Sequence, residues 1–192
     1  MKRSLNFLVF TIICTIVAVV LSFSAGFIDL NNTKLINVFV VLVQIITIMA
    51  DAFLLVGCLF GKIAGNRCFT IAFWLDIGLI TVNIVTLILS VAGVTSSSAN
   101  NIISVLSLIA SIGTFLFVIL GCREAESSVS KLAITTLIFV SLGLLLTGIV
   151  PFFSNQQSDG IVALTVFGSI AFLVGCILFV VLVIKTRNRV TD

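Results

Sequence analysis

Apolar residues fall in six long runs, separated by short polar clusters: Leu5–Ile28, Leu35–Phe60, Cys68–Val94, Ile102–Cys122, Leu132–Phe153 and Ile161–Ile184. Each run holds about 20–27 residues. A helix rises about 1.5 Å per residue, so each run is long enough to cross a hydrocarbon layer of about 30 Å. Lipid offers no partner to an unpaired backbone N–H or C=O, and a spanning segment must therefore satisfy its hydrogen bonds internally, as a helix does. The pattern predicts an all-α integral membrane protein. Its six transmembrane helices are arranged as three hairpins in a single domain over residues 1–192.

The polar clusters set the expected orientation. Nine of the ten Lys and Arg residues lie before the first run, after the second and fourth, and after the sixth. The clusters after the first, third and fifth runs hold only Lys34. Basic residues stay on the cytoplasmic side during insertion, so both termini are expected in the cytoplasm and the chain in a cell (inner or plasma) membrane. The first run follows Met1-Lys2-Arg3 and contains Ser22-Phe23-Ser24, a passable cleavage site. Its apolar stretch exceeds a signal core of about 7–15 residues, which favours an uncleaved anchor. Asn31-Asn32-Thr33 matches a glycosylation sequon, yet so close to the membrane it reads as a polar turn.

Two carboxylates interrupt the apolar runs. At about 3.6 residues per turn, Asn37, Gln44, Thr47 and Asp51 share one face of the second run, and Asp76, Asn83, Thr86 and Ser90 share one face of the third. If these runs are antiparallel neighbours, depth pairs Asp51 with Asp76, Gln44 with Asn83 and Asn37 with Ser90. Ionisable residues inside a span face a bundle interior or an aqueous cavity. No Lys or Arg lies at that depth to pair with either carboxylate. Two neighbouring carboxylates in a poor solvent do not both ionise readily, so a shared proton is expected. Asp51 and Asp76, with Gln44, Asn83 and Thr47 as further oxygen donors, form a candidate proton or cation site. The same residues also suit plain helix association through interhelical hydrogen bonds.

Composition narrows the alternatives. The chain is 60% hydrophobic and 9% charged, with a mean hydropathy of +1.40; a soluble domain needs roughly 25% charge to cover its surface. The net charge of +3 reflects the topology signals. Without a basic patch interleaved with aromatics, no nucleic acid partner is expected. There is no histidine, which removes the commonest general base and metal ligand. No phosphate-binding loop or nucleophile–base pair is present, so enzyme activity, a metal and a cofactor are not expected. Tyrosine is absent and Trp74 is the single tryptophan, which leaves it, the phenylalanines and terminal cations to anchor the membrane interface.

The five cysteines, Cys14, Cys58, Cys68, Cys122 and Cys176, form no Cys-x-x-Cys pair and no zinc spacing. Cys58, Cys68 and Cys122 fall at the cytoplasmic rim, where palmitoylation is one reading and small-residue packing the simpler one. Three of the five follow glycine, as Gly57-Cys58, Gly121-Cys122 and Gly175-Cys176, one pair on each returning run. The recurrence suggests a parallel internal repeat. Gly57, Gly61 and Gly65 make a glycine ladder, and Ser104, Ser107, Ser111 and Thr114 make a small polar stripe on the fourth run. Both predict close helix packing, with a serine-lined polar path as the other reading of the stripe.

The third hairpin, residues 132–184, carries Gly143-Leu-Leu-Leu-Thr-Gly-Ile-Val-Pro151-Phe and a returning run with Gly168 and Gly175. In these residues it resembles a hairpin of the HdeD family, six-helix bacterial inner-membrane proteins built from three hairpins. The first two hairpins share the layout but lack the proline and most of the glycines, so the resemblance covers about a third of the chain. It implies an envelope or acid-stress association and no known reaction. Two functions follow as expectations. One is a non-enzymatic multi-pass membrane protein with a structural, stress-related or accessory role. The other is a small proton- or cation-coupled transporter or channel using Asp51 and Asp76. Its partners are expected to be the lipid bilayer and either further copies of itself or another membrane protein.

Overall fold

The computed structural model describes residues 1–25, 33–92, 97–149 and 159–190. They form α1 (Lys2–Ala25), α2 (Thr33–Ile63), α3 (Arg67–Val91), α4 (Ser97–Ala125), α5 (Ser130–Ile149) and α6 (Asp159–Arg189), with a 3-10 turn at Ser127–Val129 before α5. All six helices are long and apolar enough to cross a membrane. The sequon at Asn31-Asn32-Thr33 and the Pro151 turn fall on or beside segments outside the described residues.

Three helices run past the ends that hydropathy predicts. α2 continues beyond Phe60 to Ile63, α4 beyond Cys122 to Ala125, and α6 beyond Ile184 to Arg189. Charged residues end an apolar run without ending a helix, since Lys, Arg and Glu are good helix formers. A helix stops where another group takes over its last carbonyls. For α2 that group is the turn at Gly65, whose φ of 82° is left-handed. Gly65 N–H donates to the Lys62 carbonyl at 2.9 Å and Asn66 N–H to the Gly61 carbonyl at 3.2 Å, which is a Schellman closure. In the glycine ladder, then, only Gly65 supplies backbone freedom.

Asn66 also starts the next helix. Its Oδ1 accepts from Phe69 N–H at 3.0 Å, as an N-cap does, and its Nδ2 donates to the Gly121 carbonyl of α4 at 3.1 Å. Phe69, fully buried, fills the space left by two glycines: a Cβ on Gly61 or Gly121 would lie 2.5 or 2.7 Å from its side chain. Replacing Asn66 by alanine removes the cap, leaves the buried Phe69 N–H without its acceptor and breaks the link to the Gly121 carbonyl. The Asn66→Ala variant is expected to unfold about 1–3 kcal/mol more easily in a detergent titration. A midpoint unchanged from wild type would show that the α3–α4 link carries no stability.

Each helix packs on its successor, α6 returns to α1, and α4 also touches α6. The result is a closed ring with a continuous interior. Three contacts mark one end of it. Ser4 Oγ donates to the Gly57 carbonyl at 2.7 Å, Asn66 joins Gly121, and Arg189 donates to Ser128 Oγ. The first residues of α1 and the last of α6 lie at this end, called the terminal end below. The apolar core is concentrated there, in residues such as Leu5, Leu8, Phe69, Val118, Phe179 and Leu182, all fully buried.

α5 and α6 approach backbone to backbone. A Cβ on Gly143 would lie 2.5 Å from the Phe172 nitrogen, and one on Gly175 would lie 2.8 Å from the Val140 nitrogen. Gly143 and Gly175 therefore have a packing role in this chain. The outer surface is apolar: Ile88, Ile109 and Phe167 are 60%, 63% and 71% exposed. Water would not tolerate so much apolar exterior, whereas lipid matches it. Near the terminal end Lys62 Nζ lies 4.7 Å from the Phe73 ring and 5.0 Å from the exposed Trp74 ring. That cluster fits an interfacial anchor.

Candidate functional site

The ends of α2 and α3 determine which polar residues can meet. Counting back from Ile63 and forward from Arg67, sixteen residues reach Thr47 and Asn83, and nine reach Leu54 and Asp76. Asp51 therefore lies between the two α3 polar groups in depth, about one turn from each level. The hydrogen bond follows this register. Asn83 Nδ2 donates to Asp51 Oδ2 at 2.6 Å, where hydropathy alone pairs Asp51 with Asp76. That count leaves Asp51 three residues from the level of Asp76 and four from that of Asn83, within reach of both, and the Asn83 amide is the one that carries a donor. Gln44 and Asn83, paired from the sequence, do line one small cavity of about 70 Å³ with Thr47 and Thr86. Asn37 and Ser90 lie outside the residues whose side chains are described.

Asp51 is buried, with 7% of its surface exposed, and forms part of the wall of a cavity of about 240 Å³. Every helix contributes to that wall: Thr15 from α1, Thr47 from α2, Asn83 from α3, Ser111 from α4, Leu144 from α5 and Phe172 from α6. No Lys or Arg lines it among the described residues. Two further cavities adjoin it, one of about 380 Å³ sharing Ser22 and Phe172, and one of about 310 Å³ sharing Asn83, Ser107 and Ser111.

Asp76 takes a different position. It is fully buried, within electrostatic reach of Asp51 and of Cys58, and is absent from the cavity wall. Among the described residues neither of its carboxyl oxygens has a hydrogen-bond partner, and the same holds for the hydroxyl of fully buried Thr114. Native structures satisfy nearly all buried polar atoms, so such an orphan calls for an explanation in function or in an unseen ligand.

Of the fourth-run stripe, Ser104, Ser107 and Ser111 line cavities, and Thr114 lies deeper. Three lining residues on α1, namely Thr11, Thr15 and Ser22, were not singled out by sequence reasoning. Their spacings of four and seven residues would have revealed them as one helical stripe. Cys58, Cys122 and Cys176, from the three glycine–cysteine pairs, are all buried in the apolar core, while Cys14 and Cys68 are partly exposed. The core position of Cys58 and Cys122 favours packing over lipid attachment. Compared with protein-family models, with curated proteins and with solved structures, the chain matches none of them.

Proposed function

We propose that this is a non-enzymatic multi-pass membrane protein of the cell membrane, three hairpins with both termini cytoplasmic, acting as a small proton- or cation-coupled transporter or channel. The observation that carries this reading is Asp51 on the wall of an internal cavity to which all six helices contribute. A carboxylate in a span faces such a space when it has work there. Asp76, buried within reach of Asp51 and without a hydrogen-bond partner among the described residues, is the second ionisable group, beside the cavity rather than on its wall. Gln44, Asn83 and Thr47 supply neighbouring oxygens.

A second reading, a structural or accessory protein that works by association, is favoured by the hydrogen bond from Asn83 to Asp51, which ties α3 to α2. The stress-related role implied by the family resemblance belongs with this reading. Reconstituted vesicles holding an internal pH dye separate the two. The wild type is expected to show a cation- or proton-linked dye response, and Asp51→Asn/Asp76→Asn to reduce it to the rate of empty vesicles, with both proteins folded by size-exclusion chromatography. No response from the wild type with any of several cations would overturn the transport reading in favour of association.

A further inference from the structure

Hydroxyl groups in the cavity wall have a common orientation in their bonding. Thr11 donates to the Phe7 carbonyl at 3.2 Å, Thr15 to Thr11 at 2.9 Å, Ser22 to Ala18 at 2.9 Å and Thr47 to Val43 at 2.9 Å. In the adjoining cavity Thr147 donates to Gly143 at 2.8 Å. A hydroxyl has one proton and two lone pairs. Once the proton is committed to the residue's own helix, only lone pairs are left for the cavity. Asp51 adds a carboxylate, and its Oδ2 already accepts from Asn83. The wall therefore offers mostly acceptors and one carboxylate, with the Asn83 amide and the Ser107 and Ser111 hydroxyls as its donors and no Lys or Arg among its described residues to balance the charge. Its natural complement is a cation. A calcium-like ion takes 6–8 oxygens, commonly from several carboxylates, whereas this wall contains a single carboxylate. That points to a single positive charge.

Access is equally asymmetric. The cavity floor includes Leu54 and Phe115. Beneath it the Phe115 ring meets the Phe179 ring edge-on at 5.8 Å. Ile12, Leu54, Val118 and Phe179, between 0% and 2% exposed, close the interior toward the terminal end. The hydroxyls that line the cavity lie on one side of this layer; on the terminal side the buried Ser4, Thr136 and Thr186 hydroxyls are each spent on a backbone carbonyl, and Asp76, level with Leu54, is fully buried within the layer. We infer that the cavity is a one-sided chamber for a small monovalent cation, reached from the membrane face opposite the chain termini and sealed toward them by the apolar core. The cation class rests on the transport reading above; the sidedness stands on packing alone.

Cysteine labelling in vesicles tests both parts. Ser107→Cys and Thr15→Cys are introduced singly into the full chain, with Ser128→Cys as a marker of the terminal end. Cys14 and Cys68 are replaced by alanine, while the three buried native cysteines stay. A membrane-impermeant trimethylammonium methanethiosulfonate is added to one face or the other. The chamber cysteines are expected to react from the face at which Ser128→Cys is inert, and to be protected at the face where it reacts. The cationic reagent should modify Ser107→Cys at least about tenfold faster than its anionic sulfonate counterpart, and Asp51→Asn should shrink that preference toward parity. Reaction from the terminal face, reaction from neither face, or equal rates for the two reagents would overturn the proposal. If Ser107→Cys does not give a monodisperse protein, Ser111→Cys on the same wall replaces it. One-sided, cation-preferring labelling without any flux would keep the chamber and remove the transport reading; flux with labelling from both faces would do the reverse.

Discussion

The Asp76→Val variant is expected to unfold later than the wild type and to lose the dye response in vesicles. Asp76 is fully buried and neither carboxyl oxygen is hydrogen-bonded among the described residues. Holding a polar group out of water without a partner costs about 1–3 kcal/mol in proteins, and an apolar side chain of similar size relieves that cost. Stability in a detergent titration should therefore rise by about 1–3 kcal/mol. Asp76→Asn keeps a polar group of the same shape and should leave the midpoint near wild type, while it removes the exchangeable charge. The two readings differ in sign here. A residue that binds helices together would destabilise the bundle when replaced by valine. A residue retained for function lowers stability in the native chain, the usual trade between activity and stability. A lower midpoint for Asp76→Val, with flux intact, would remove Asp76 from the proposed site.

Gly143→Ala is expected to loosen the contact between α5 and α6. The new methyl would sit 2.5 Å from the Phe172 nitrogen and 2.6 Å from its Cα. A side chain can rotate out of such a clash, but a helix backbone cannot, so the two helices must separate along the contact. The expected loss is about 1–3 kcal/mol, as for other overpacked sites. Gly78 provides the control, because a Cβ there would meet nothing within 4 Å. Gly78→Ala should be stabilising by about 0.5–1 kcal/mol through helix propensity alone. Opposite signs from the same substitution would place the effect in interhelical packing. If both variants shift the same way, glycine's intrinsic helix cost decides and the close approach contributes nothing.

Much of the architecture was legible in the residue pattern. Six apolar runs gave six helices, because a long segment without charges has one way to satisfy its backbone in lipid. The polar faces of α2 and α3 were legible too, since periodicity depends only on local helix geometry. Asn83 was expected opposite Gln44 on the second helix; it lines one small cavity with Gln44 and gives its hydrogen bond to Asp51, an acceptor about one turn away in depth. The glycine–cysteine pairs were visible as a recurrence. That Gly121 makes room for Phe69, while Gly175 makes room for the Val140 backbone, was not.

What the sequence determined by itself was therefore every property that accrues along one helix: the six spans, the apolar exterior, the faces bearing Asp51 and Asp76, and the basic residues that set the expected orientation. What the tertiary structure decided was every property that needs two or more helices at a given register. Those are the link from Asn83 to Asp51, the position of Asp76, unpartnered among the described residues, and the cavity walled by hydroxyls from α1 as well as α4. Periodicity places a residue on a face with a precision of one turn. A hydrogen bond demands about 3 Å, and only the caps and close-packed glycines that fix helix against helix supply that precision.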